Sequence, residues 1–473
     1  MEAGLAATRG SHQPAPKMEI LQGPARFRRV PTTTQIFALA LMTWPIGFKN
    51  PWERGRKMVV PSPSEHMSKF CLPRSLSRNA RIFLRAAAAL CLTLAGLPGC
   101  VEFVQAQVAT STKGSRPPTT LPLTSFYDSS HVLPAGKPGE LIRAETIDQY
   151  SLPFELSAKR ILYHSRTAHG EDVAVSAVVV IPDGKPPASG WPVIAWAHEF
   201  RGAARQCAPS LMKNVGAGPI LAMYANLGYA VVATDYSGLG SDSGKPVVDM
   251  QSNAMDVMYS VAAARTAVPQ IGSKWISVGA FQGGMAAVAV AENEIQDPDY
   301  LGSVATSGLA DGREIFQRSA PGSSNRMLLP LAATLKALYP EFQVGDMLKD
   351  TALPAYQRVA RTCGRETETA FSSEMMKPGW ENNRFVKEFF SRNTPGQKRA
   401  TRPLLVISGE ADAAIPAEMT GKTVACMCEQ GSRILFLKYR DVDASGVMGA
   451  SVADQISWIK ARFAGDAGPG NCR

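Results

Sequence analysis

From residue 161 onward the chain repeats one pattern: a short continuous run of apolar and β-branched residues, then a longer stretch of helical composition. The runs fall at 161–165, 173–181, 192–197, 229–235, 275–280, 301–306, 403–407 and 434–439. Several do not alternate polar with apolar, as strands buried on both faces of a mostly parallel sheet require. Helical candidates at 252–266, 284–294 and 451–463 lie between or after them. The pattern predicts an α/β fold with a doubly wound, mostly parallel sheet. Residues 311–402 break it, reading as helical pieces separated by Pro and Gly. They are too long for a structureless loop and are expected to form a helical cap or lid inserted between two strands. Such a cap would cover the carboxyl ends of the sheet, where α/β folds bind ligands; a packing subdomain without a gating role is the other reading.

The 473 residues, 45% apolar, suffice for one large domain carrying that insertion. A formal charge of +10 invites a nucleic-acid reading, but its location argues against one. Residues 1–106 hold 14 of the 50 Lys/Arg and 5 of the 40 Asp/Glu, so the remaining 36 and 35 nearly cancel. The basicity belongs to the leader, and no nucleic-acid partner is expected.

In that leader Arg78, Arg81 and Arg85 precede an apolar run at 86–101 and then Val104-Gln105-Ala106. This is the order of a secretory signal, expected over about 78–106 with cleavage after Ala106, leaving a domain at 107–473. The run contains Pro98 and is shorter than the roughly 20 residues of a membrane span, so no transmembrane anchor is expected in the mature chain. Leu97-Pro98-Gly99-Cys100 faintly resembles a lipoprotein box. Residues 1–66 resemble no folded element, and Met67 stands at a natural starting distance before the signal. Beyond the leader lie five cysteines, Cys207, Cys363, Cys426, Cys428 and Cys472. Export makes disulfides available to them, and an odd number leaves at least one unpaired. Cys426 and Cys428 are too close for a C-x-x-C motif and have no His cluster beside them, so neither a structural metal nor a cofactor is expected.

The stretch most informative about chemistry runs from Trp275 to Met285 and reads W-I-S-V-G-A-F-Q-G-G-M. It is a strand entering a Gly-rich turn and then an Ala-rich helix. A nucleophile elbow, G-x-S-x-G, has this form, with glycines two residues either side of the nucleophile. Gly279 and Gly283 hold the glycine positions, but the apex is Phe281. After the run at 403–407, Ser408-Gly409-Glu410-Ala411-Asp412 puts a carboxylate at a late strand end, where the acid of a Ser, Asp, His order belongs. The histidine should follow the last strand, yet 440–446 contains none; all six histidines lie at or before His198. The oxyanion loop should follow the run at 192–197, where the chain reads His198-Glu199-Phe200-Arg201-Gly202, with Gln282 as the residue after the nucleophile position. A carboxylate at Glu199 pointing inward would repel a developing oxyanion, whereas one turned to solvent or Arg201 would not.

With these residues in place the chain resembles the secretory lipase family of α/β-hydrolases, the fungal lipase A type and its bacterial relatives. The resemblance runs over about 139–465 and includes R-Q-C-A-P-S from Arg205, A-T-D-Y-S-G-L-G from Ala233, the elbow, Gly409 to Asp412, and D-Q-I-S-W-I from Asp454. It implies the α/β-hydrolase fold and an exported lineage that hydrolyses carboxylic esters of lipid-like substrates. In the family pattern Phe281 holds the serine position, Ala444 the histidine position, and Glu199 replaces a glycine, so Asp412 alone remains of the triad. Losing serine or histidine costs a triad roughly a millionfold in turnover. Three functions follow as expectations: a pseudo-hydrolase binding an apolar or ester-like small molecule; an enzyme of altered chemistry using Glu199, His198 or Asp412 as acid or base; or a weak esterase with a displaced nucleophile such as Ser445 or Ser307.

Overall fold

Val193, Ala195 and Ala197 pack into one apolar cluster while Ile194 and Trp196 pack into another, so β4 (Trp191–Ala197) is covered on both faces. That explains its unbroken apolar run. The computed structural model describes residues 119–473 except 130–132, 154–155, 246–247, 294–296, 318–326, 360, 364–372 and 473. The chain divides into two units, Met1–Thr112 and Lys113–Arg473, and the described residues all belong to the second. The expected signal segment lies outside the described residues.

Nine strands form one sheet in the order β1-β2-β3-β5-β4-β6-β7-β8-β9. Besides β4 they are β1 (Leu141–Ile147), β2 (Ser157–Arg166), β3 (Asp172–Ile181), β5 (Ala230–Thr234), β6 (Ile271–Ala280), β7 (Tyr300–Thr306), β8 (Leu404–Gly409) and β9 (Ile434–Tyr439). The β1–β2, β2–β3 and β3–β5 pairs are antiparallel and all others are parallel, giving the expected mostly parallel α/β-hydrolase-like sheet. The apolar runs do not reveal β1, because this edge strand carries Arg143, Glu145 and Thr146 and has no buried residue.

Helices α1 (Gly218–Asn226), α2 (Met250–Ala267) and α3 (Gln282–Glu292) alternate with the central strands; α8 (Ala417–Glu429), α9 (Val447–Ala450) and α10 (Val452–Phe463) follow β8 and β9. Val257 and Val261 of α2 and Val288 of α3 fill one face of the sheet, while Tyr224 of α1 and Trp458 of α10 fill the other. Between β7 and β8 come four helices, α4 (Gly312–Gln317), α5 (Leu328–Leu338), α6 (Leu353–Val359) and α7 (Arg384–Arg392), and among the described residues no strand. Leu331, Leu335, Phe342, Met347, Val386 and Phe389 give this insertion an apolar core of its own. It is fastened to the sheet domain by the Cys207–Cys363 disulfide, by Asn393 Nδ2 donating to Asp249 Oδ2 at 2.9 Å, and by Val248 N donating to Thr334 Oγ1 at 2.9 Å. A second disulfide joins Cys428 to Cys472, and the odd thiol is the exposed Cys426. No helix among the described residues is long and apolar enough to cross a membrane.

Candidate active site

The turn between β6 and α3 holds Phe281 at φ 52° and ψ −118°, a conformation that non-glycine residues rarely adopt. Its backbone is fixed on both sides: Phe281 N donates to Thr306 O at 3.0 Å, and Met285 N donates to Phe281 O at 3.0 Å. The flanking glycines serve close approach, since neither has a positive φ. A Cβ on Gly279 would run into the Gly283 carbonyl, and one on Gly283 into the Ala197 carbonyl at the end of β4. Two strand ends and a helix N-terminus therefore meet at van der Waals distance, with a phenyl group at the apex.

The loop after β4 is held by its histidine. His198 is buried, its Nδ1 lies 2.6 Å from Glu199 O and its Nε2 3.0 Å from Asp235 O, and its ring stacks 4.1 Å from Tyr236. Burial pushes its pKa down to about 4 despite the two carbonyls. At neutral pH one nitrogen donates and the other faces an oxygen without a proton, so neither is directed to the elbow. Glu199 turns outward: its carboxylate is 39% exposed and lies 2.9 Å from Arg201 Nη2, which also donates to Gly216 O. Of the two orientations open in the sequence, this is the one that leaves the loop after β4 without an inward charge.

Asp412 follows β8 and is buried; its Oδ1 accepts from Ala414 N and Ile415 N, both at 2.9 Å. Burial raises its pKa, with the Asp443 charge adding to the effect. Ala444 lies in the loop after β9, and Ala411 N donating to Val442 O at 3.0 Å joins that loop to the Asp412 turn. Ser307, at the end of β7 with φ 53°, spans the gap between this loop and the elbow. Its Oγ donates to Ala444 O at 3.1 Å, and a Cβ on neighbouring Gly308 would lie 3.3 Å from Phe281 Cα. Ser445 caps the same loop by donating its Oγ to Asp443 at 2.9 Å. The fold thus gathers Phe281, Gln282, His198, Ser307, Ala444 and Asp412 above the carboxyl ends of adjacent strands.

His198, Arg201, Tyr236, Gln282, Pro330 and Thr334 line a cavity of about 10 Å³ beside the elbow, room for roughly one water. Pro330 and Thr334 belong to α5, so the insertion closes this space from above. Sequence reasoning did not single out the buried chain that braces the loop after β4. Asp235, whose carbonyl faces His198, accepts from Ser176 Oγ at 2.6 Å and from Ser210 N at 2.8 Å; Ser210 Oγ pairs with Tyr127 OH at 2.7 Å, and Arg160 Nη1 donates to that hydroxyl at 2.9 Å. Its one visible trace is the Thr234-Asp235-Tyr236 step at a strand end. Among the described residues no group of His, Cys, Asp and Glu is arranged to hold a metal ion.

A model of the secretory lipase family matches residues 219–470. Among solved structures, Candida antarctica lipase A in its closed state superposes with a TM-score of 0.65 at 16% identity, covering 75% of this chain and 89% of that one. The rice cell wall degrading esterase LipA from Xanthomonas oryzae gives 0.58 at 19% identity, with 69% and 98% covered. A putative hydrolase from Legionella pneumophila gives 0.59 at 17%, with 68% and 98% covered. Comparison with curated protein sequences returns no match.

Proposed function

The chain belongs to the secretory lipase family of α/β-hydrolases, and from that premise we propose that it is a pseudo-hydrolase: an exported protein that binds an apolar or ester-like small molecule without hydrolysing it. The observation that carries this reading is the phenyl group of Phe281 at the elbow apex. A seryl acyl-enzyme needs a hydroxyl there and an imidazole to take its proton. No histidine follows His198 in the chain, and His198 has both nitrogens committed to carbonyl oxygens.

The same geometry weighs against altered acid-base chemistry, because Glu199 is paired with Arg201 and Asp412 receives two backbone donors on one oxygen. It also weighs against a displaced nucleophile: the Ser307 hydroxyl donates to a carbonyl, the Ser445 hydroxyl to the exposed Asp443 carboxylate, and no imidazole accompanies either. The insertion acts as a cap in this reading, and α5 must shift to admit a ligand, since the cavity beneath it is too small for an acyl chain. Family membership and two disulfides are those of an exported protein, and cleavage after Ala106 is the proposed maturation step.

The test is a thermal-shift screen of short and long-chain esters and their free acids, with product formation followed in parallel. Stabilisation without turnover is the expected result. Conversion of a stabilising ester would overturn the reading.

A further inference from the structure

At the edge of the sheet farther from β6, five strands away in the sheet order, the face of β1 and β2 meets the segment around Ser125–Tyr127 in a cleft of about 440 Å³. Thr124, Ser125, Arg143, Glu145, Gln149 and Arg160 supply its polar lining. Arg160 is 4% exposed, and a guanidinium so buried needs partners for its five donors. Nη1 donates to Tyr127 OH, and the group lies 5.2 Å and 5.1 Å from the Phe126 and Tyr127 ring centres. Nη2 is 2.6 Å from Glu145 Oε1, its cross-strand neighbour in the β1–β2 register. That oxygen makes no hydrogen bond of good geometry, and Arg160 Nε has no partner at all. Buried donors are rarely left unmade, and a charged one is the costliest to leave.

We propose that this cleft is a binding site for a small organic oxyanion, a carboxylate or a phosphate monoester, held by Arg160 and Arg143. Two guanidinium groups face one carboxylate in the lining, so the cleft carries a net positive charge that an anion neutralises. An oxyanion free to present two oxygens can pair with the guanidinium fork, whereas Glu145 Oε1 approaches Arg160 without a hydrogen bond of good geometry. Arg143 uses Nη1 on Ser125 O at 3.2 Å and keeps its remaining donors exposed at the rim. Thr124, Ser125 and Gln149 offer neutral hydrogen bonds to the rest of the ligand, and Glu145 competes with it for Arg160.

The test uses the purified full chain in chloride buffer at physiological ionic strength, which screens loose surface binding, and titrates succinate and inorganic phosphate separately by calorimetry. Saturable one-site binding of at least one probe is expected, and which one binds identifies the class. Arg143→Gln should weaken it at least fivefold, whereas Glu145→Gln, which removes the internal competitor, should tighten it several-fold. If Glu145→Gln does not fold, Arg143→Gln alone decides. Absence of saturable binding by both probes, or equal binding by wild type and Arg143→Gln, overturns the proposal.

Discussion

The hydroxyl of Ser307 donates to the carbonyl oxygen of Ala444 at 3.1 Å, linking the end of β7 to the loop after β9. In a working hydrolase of this architecture an imidazole would reach from that loop toward the elbow. Here a serine–backbone hydrogen bond closes that loop onto the end of β7.

That closure bears on restoration. Phe281→Ser alone should leave hydrolysis of a short-chain aryl ester at background, because a serine without a base is a poor nucleophile at neutral pH. Ala444→His alone should do no better. Combining both supplies nucleophile and base beside Asp412, Glu199→Gly adds the glycine of the family pattern, and measurable turnover is the expected outcome. A well-folded triple variant with no turnover would mean that these positions do not form a triad.

Unmodified protein should stay unlabelled by fluorophosphonate probes, which react with activated serines. Mass spectrometry after prolonged exposure checks this, and stoichiometric labelling of any serine, Ser307 and Ser445 included, contradicts the pseudo-hydrolase reading.

Gly283→Ala should cost roughly 3 kcal/mol or more, at or above the upper end of ordinary overpacking, because the added Cβ meets the rigid Ala197 carbonyl and not a movable side chain. Gly449→Ala, where a Cβ meets nothing within 4 Å, should be neutral or stabilising by up to about 1 kcal/mol. Urea midpoints of the two variants supply the comparison.

Acidity should stabilise the fold over a defined window. Burial pushes Asp235 up to about 6 and Asp256 and Glu292 up to about 7, against unfolded values of roughly 4. These three groups therefore bind more protons in the native state than in the unfolded chain between about pH 4 and 7, outweighing the one proton that buried His198 gives up over part of that range, and the stability they contribute is lost as pH rises through their folded values. Urea midpoints should fall from pH 5 to pH 8. Glu292→Gln keeps an acceptor for Gly396 N, 2.5 Å away, and should flatten that fall; an unchanged slope would remove Glu292 from the account.

Replacing Cys207 and Cys363 by serine should lower stability by about 2–5 kcal/mol, since the bridge closes 156 residues of chain and pins the insertion to the sheet domain. Replacing the exposed, unpaired Cys426 should change little. Thermal melts of both, with thiol titration of the native protein, test the pairing.

The sequence by itself determined most of the sheet, because strands covered on both faces are largely apolar, and it placed glycines at 279 and 283, where an added Cβ would strike the carbonyls of Gly283 and Ala197. It also determined that no imidazole lies downstream, since absence of a residue type is a property of composition and not of folding. Edge strand β1 was hidden because an edge has only one partner strand and can carry charge. The direction of Glu199 was decided by tertiary structure, where Arg201 and its carbonyl anchor Gly216 O draw the carboxylate outward. The same holds for the brace from Arg160 through Tyr127, Ser210 and Asp235 to His198, whose members are scattered from Tyr127 to Asp235 in the chain. A hydrogen bond depends on distance and angle in space, and neither is written in the identity of residues that only the folded sheet brings together.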